Sequence, residues 1–140
     1  MFSIERSVVV VMAASLAMWG AAACGDDDDP AGPGNGGPTA GTLTVTLVTP
    51  NADDGAILFT VNGPDMTQIA AGDAALYFRH AQDGPTVTGV VAGDVAGGAL
   101  LTFRVPDIDA AGSYSAVIQQ VADRDNELRG SLAGYGLSVN

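Results

Sequence analysis

Lysine is missing from this chain of 140 residues, and cysteine and histidine occur once each, as Cys24 and His80. Without lysine there is no P-loop ammonium for a nucleotide phosphate and no amine for a Schiff base. A single cysteine excludes an intramolecular disulfide. A single histidine would leave any zinc site to carboxylates, a poor ligand set. Aromatic residues make up 6% of the chain, too few to line the cleft that a two-carboxylate glycosidase needs. Positive charge is scarce as well: five arginines face sixteen acidic residues, for a net charge of −11. A surface this acidic repels phosphate backbones, which excludes nucleic acid as a partner. Gly130-Ser131-Leu132 does not form G-x-S-x-G and has no strand-to-helix elbow to carry it. The expectation is a protein with no catalytic residues, no cofactor and no metal.

The N-terminus does carry a signal. Met1–Ser7 is followed by the apolar run Val8–Gly20, then by Ala21-Ala22-Ala23 and Cys24. An apolar run closed by small residues is the layout of a secretory signal peptide. Val8–Ala23 spans 16 residues, short of the roughly 20 that a bilayer requires of a permanent helix. Residues 1–23 are therefore read as a signal peptide. Ala21-Ala22-Ala23-Cys24 resembles the lipobox of bacterial lipoproteins, with Ala21 standing where that family usually carries leucine. The resemblance implies that the Cys24 thiol is diacylated and becomes the mature N-terminus. It also implies an exported protein held by lipid at the bacterial cell membrane or outer membrane. The alternative is an A-x-A cleavage site that leaves Cys24 a free thiol on a secreted domain.

Residues 24–41 follow as Cys-Gly, four aspartates and a Gly/Pro/Asn-rich stretch, with no large apolar residue before Leu43. Such a segment cannot bury enough surface to offset its ordering entropy, so it reads as a disordered tether. A flexible chain of this length spans roughly 25 Å. The 99 residues that remain, 42–140, suffice for one domain with one modest core.

Within 42–140 the dominant signal is alternation at period two, broken by turn clusters. Seven strands are expected: Thr42–Thr49, Ala56–Asn62, Ala75–His80, Thr86–Ala92, Ala99–Val105, Ser113–Ala122 and a glycine-broken Leu128–Val139. A short extra strand could hide at Met66–Ala70. The expected core comprises Leu43, Val45, Leu47, Ile57, Phe59, Val61, Leu76, Phe78, Leu101, Phe103, Val105, Tyr114, Ile118 and Leu132. This pattern argues for an all-β, antiparallel, immunoglobulin-like sandwich. Gly112-Ser113-Tyr114-Ser115-Ala116-Val117 resembles the start of strand F in immunoglobulin-like domains, where a tyrosine hydroxyl bonds back to the preceding corner; Ala116 stands in the cysteine position. The whole loosely resembles bacterial Ig-like or cohesin-type modules.

The domain carries ten Asp and one Glu against four Arg. If seven strands alternate direction, Asp53, Asp54, Asp83, Asp107 and Asp109 gather at the end far from the tether. Asp65, Asp73, Asp94, Asp123, Asp125 and Glu127 then gather at the near end. The turns Pro50–Gly55, Ala81–Pro85 and Pro106–Gly112 would form an acidic surface that steers a basic partner or a divalent cation. Asp123–Glu127 alternates oxygen ligands but lacks the D-x-D-x-D-G frame of calcium loops, and Arg124 and Arg129 can neutralise it. His80 reads as a histidine of the surface or core edge. Two functional classes stay open: a monomeric, lipid-anchored interaction module for an envelope protein or a glycan, or a purely structural, envelope-stress lipoprotein.

Overall fold

The computed structural model describes residues 36–140; residues 1–35, which hold the segment read as a signal peptide, Cys24 and most of the tether, lie outside the described residues. Eight strands follow one another: β1 (Gly41–Val48), β2 (Asp54–Asn62), β3 (Thr67–Ala71), β4 (Tyr77–Asp83), β5 (Thr86–Val95), β6 (Gly98–Val105), β7 (Ser115–Asp123) and β8 (Gly136–Val139). One short 3₁₀ helix, Ile108–Ser113, lies between β6 and β7. The strands form two four-stranded sheets, ordered β3-β6-β1-β8 and β4-β5-β2-β7, and every pairing is antiparallel.

The expected sandwich is present, with eight strands where seven were counted. The added strand is β3, at the place where a hidden one was allowed for. Lettering the first seven strands A to G, an immunoglobulin domain has sheet orders A-B-E-D and C-F-G. The neighbours β2-β5-β4 reproduce B-E-D, and β3-β6 reproduces C-F. The terminal strands are exchanged: β7 takes the position of A beside β2, and β1 takes that of G beside β6.

Alternation builds the core. In β1, Leu43, Val45 and Leu47 are buried while the intervening threonines face out, and β2 does the same with Ile57, Phe59 and Val61. Ten of the expected core residues are buried outright; Leu76, Phe78, Ile118 and Leu132 are half-buried and pack against them. Met66, Val87, Val91, Val95, Leu100 and Val121 complete the core beyond that expectation. Leu100 is instructive. Val45 pairs with Leu101 and Thr46 with Ala99, so Leu100 is the extra residue of a bulge, and two consecutive leucines turn inward. Close packing also fixes Gly89, where a Cβ would sit 2.7 Å from the Phe59 ring.

The last expected strand is cut down. β8 covers only Gly136–Val139, and Leu128 joins the sheet by a single bridge to Ala122. The rest of 124–135 is a long connection.

Candidate functional site

Strict alternation of direction sorts the loops into two poles. The β1–β2, β3–β4, β5–β6 and β7–β8 connections share one pole; the β2–β3, β4–β5 and β6–β7 connections share the other with Gly41, where the chain enters β1. The extra strand thus breaks the three-turn surface expected from seven strands. Asp53 and Asp54 stay at the pole far from Gly41. Asp83, Asp107 and Asp109 move to the near pole with Asp65, while Asp73, Asp94, Asp123, Asp125 and Glu127 join the far one.

The turns themselves also differ from free loops. Ala81–Asp83 belongs to β4, and Gly84-Pro85 alone makes the hairpin, with Gly84 at φ 54°. Asp107 caps the 3₁₀ helix: its carboxylate accepts from the Asp109 N–H at 3.1 Å and from the Thr39 N–H at 3.3 Å. The Ile108 N–H reaches back to the Thr39 carbonyl at 2.8 Å, so the described end of the tether is pinned to that helix.

The far pole is organised around Asp54, which is 0% exposed at the first position of β2. Its Oδ2 accepts from the Thr49 hydroxyl at 2.6 Å. Its Oδ1 accepts from the Tyr135 hydroxyl at 2.8 Å and from the Arg129 Nε at 3.1 Å. Asn51 Nδ2 donates to the Tyr135 oxygen at 2.7 Å, and the Asn51 N–H donates to the Thr49 hydroxyl at 3.1 Å. The Arg129 guanidinium also pairs with Asp53 and lies 3.8 Å from Asp123. Burial alone would lower the Arg129 pKa, but hydrogen bonds to Asp54 and Asp53 outweigh it and hold the group above the usual guanidinium range. A buried charge persists only when paired and hydrogen-bonded in this way.

This network ties the β1–β2 turn to the β7–β8 connection across more than 70 residues of sequence. Among the described residues every buried side-chain nitrogen or oxygen has a partner. A carboxylate with its lone pairs already committed is poorly placed to act as a base or to bind a cation. Asp54, expected to be an exposed steering charge, is therefore a structural anchor. The same network draws on Thr49, Asn51 and Tyr135, none of which stood out in the sequence.

Around the anchor lie the exposed acids. Arg124 pairs with Asp94 and donates to the Ala52 carbonyl at 3.0 Å. Asp123 Oδ1 accepts from the N–H groups of Asp125 (2.9 Å) and Glu127 (3.0 Å), so the Asp123–Glu127 turn satisfies itself, with Asn126 at φ 66°. Among the described residues no three acidic, histidine or cysteine side chains converge to hold a metal ion. Asp53, Asp54, Asp73, Asp94, Asp123, Asp125 and Glu127 against Arg124 and Arg129 leave this pole at 2 − 7 = −5.

At the near pole a cleft of about 300 Å³ opens between Asp65, Thr67, Arg104, Val105 and Pro106. Tyr114 lies at this end with its ring 5.3 Å from that of Phe103, and a Cβ on Gly63 would collide with it. Burial, then the charges of Asp65 and Asp107, raise its pKa above 10.0. Tyr114 precedes β7, which by the lettering above lies in the place of strand A and not of strand F, and its hydroxyl makes no bond back to the corner; the ring serves as core. His80 is exposed on β4 and stacks on Phe78 at 5.3 Å. Cys24 lies outside the described residues. Comparison of the chain with family models, with curated proteins and with solved structures finds no match in any of the three.

Proposed function

We propose that this protein is a non-catalytic module of the bacterial cell envelope, exported by its signal peptide, attached through lipid on Cys24, and presenting the far pole of its sandwich to another envelope protein. The observation that carries the reading is the polarity of the domain. The chain enters β1 at one pole, while the Asp54–Arg129 network stiffens the loops at the opposite one, which holds a net charge of −5. A chain tethered at Gly41 leaves that far pole free to meet a partner. Binding loops on a rigid scaffold are a common way to place specificity. A negative field selects a partner with a basic surface over a neutral glycan.

The test removes charge without touching the anchor. Asp125→Asn combined with Glu127→Gln takes two charges from exposed positions of the far pole. Cross-linked capture of an envelope protein should weaken severalfold in this variant, and in the parent it should fall as salt shortens the Debye length below about 8 Å. Capture indifferent to both changes overturns the far-pole reading. The membrane attachment has its own test: Cys24→Ser should move the protein from the membrane pellet to the soluble fraction or leave it unprocessed. Unchanged partition in that variant rejects the lipid anchor.

A further inference from the structure

Four arginines lie among the described residues, and three of them are engaged. Arg124 and Arg129 pair with carboxylates, and Arg79 Nε donates to the Tyr77 hydroxyl at 2.8 Å. Arg104 stands exposed at the near-pole end of β6, opposite the uncharged Thr42 of β1 and Thr67 of β3. Among the described residues its side chain forms no ion pair and no hydrogen bond; only its carbonyl is used, by the Thr67 hydroxyl. Asp65, in the β2–β3 connection, likewise has no partner there for its carboxylate. Both line the near-pole cleft of about 300 Å³, with Thr67, Val105 and Pro106. That volume is at the lower end of the roughly 300–1,000 Å³ of ligand pockets, so it suits a small ligand.

The wall that carries Asp65 is fixed in the ligand-free domain. Gly63 N–H donates to the Pro85 carbonyl at 3.0 Å, and Gly63 packs directly on the Tyr114 ring. Met66 is buried in the core, and Gln82 Nε2 donates to its carbonyl at 3.1 Å. Asp65 at φ 48° and Gln68 at φ 46° are two of the three non-glycine residues in the left-handed region among those described. They bracket Thr67, and β3 bulges against β6 between Thr67 and Ala70. Left-handed residues and bulges concentrate where a sheet edge aims side chains at a ligand.

We infer that this cleft binds a small zwitterion, whose carboxylate or phosphate takes the Arg104 guanidinium and whose ammonium takes the Asp65 carboxylate. Charge disfavours the simpler ligands. Asp65, Asp83, Asp107 and Asp109 against Arg104 give the near pole 1 − 4 = −3, so a lone anion is repelled from it. A lone cation is drawn to the pole but meets the guanidinium inside the cleft. A zwitterion has no net charge to be turned away, and each of its ends meets an opposite charge. Arg104 presents a fork of N–H donors that matches a carboxylate or a phosphate. Val105 and Pro106 give the short carbon linker an apolar surface to lie on. Two sources share this chemistry: a free α-amino acid, and the phosphoethanolamine head of a membrane lipid.

The experiment titrates the full chain with four probes, alanine, glycerophosphoethanolamine, acetate and ethylamine, and follows the backbone amide resonances of Thr67 and Arg104. A zwitterion should bind about tenfold more tightly than either half, because it adds a second charge-assisted hydrogen bond. Tighter binding of alanine identifies a free amino acid as the source; tighter binding of glycerophosphoethanolamine identifies the lipid head group. Arg104→Gln and Asp65→Asn should each lower that affinity about tenfold. Both positions are exposed and asparagine tolerates a positive φ, so the variants should melt with the parent. No binding of either zwitterion, acetate or ethylamine bound as tightly as the zwitterions, or an affinity unmoved in both variants each overturns the proposal.

Discussion

Replacing Asp54 with alanine strips the far pole of its anchor and leaves three donors facing a cavity. The hydroxyls of Thr49 and Tyr135 and the Nε of Arg129 all point at this carboxylate, which water does not reach. Removing one member of a buried, hydrogen-bonded charge pair costs about 3–5 kcal/mol. Arg129 keeps Asp53 and Asp123 as partners, which places the expected loss toward the lower end, near 3 kcal/mol. For a domain of about 100 residues, that is a fall in Tm of roughly 12–24 °C. Asp54→Asn keeps the shape and loses the charge, so its cost should be smaller, about 1.5–3 kcal/mol, the worth of hydrogen bonds to a charged acceptor. Urea unfolding of the two variants gives both numbers. A double-mutant cycle with Tyr135→Phe should show coupling, since the Tyr135 hydroxyl bonds the carboxylate directly. A loss below about 1 kcal/mol for Asp54→Ala would refute the reasoning, because the pole would then stand without its anchor.

Three further outcomes follow from the packing. Phe103→Ala empties a fully buried ring site beside Tyr114 and should cost about 3–5 kcal/mol in denaturant unfolding; a change of a few tenths would mean that this ring is not core. Gly63→Ala forces a methyl group into the Tyr114 ring and should destabilise by about 1–3 kcal/mol despite its small volume. Tyr114 titrates above its ordinary value of 10.0, first through burial of the residue and then through the negative charges of Asp65 and Asp107. Its contribution to stability is therefore complete below pH 10 and is lost as pH rises through the elevated folded-state value. Tyr114→Phe should flatten the alkaline limb of the stability profile above pH 10, and an identical limb in the variant would contradict this.

Local chemistry made most of the strands readable. β1 and β2 alternate cleanly, and one face of each is core, so their parity could be taken from the side chains alone. β3 left a weaker trace, because Thr67–Ala71 contains a left-handed Gln68 and breaks its own alternation. Missing one strand inverts the end assigned to every later turn, which is why Asp83, Asp107 and Asp109 landed at the wrong pole. Leu100 escaped because a bulge has no sequence mark beyond a doubled leucine. Asp54 escaped for a different reason. Asn51-Ala52-Asp53-Asp54-Gly55 is good turn chemistry, and the partners that let its last aspartate be buried include Arg129 and Tyr135, 75 and 81 residues away. The resemblance at Cys24 rests on contiguous residues, a kind of signal that needs no tertiary context.

The central claim, an exported domain held at the envelope by lipid, comes down to the chemical state of Cys24. The direct measurement is the intact mass of the mature chain recovered from the membranes of a bacterial host expressing the full sequence, with its N-terminal peptide fragmented. The account predicts a chain that begins at Cys24 and is heavier than residues 24–140 by at least a thioether-linked diacylglyceryl group. A mature chain with an unmodified thiol at Cys24, or one that retains residues 1–23, would contradict it.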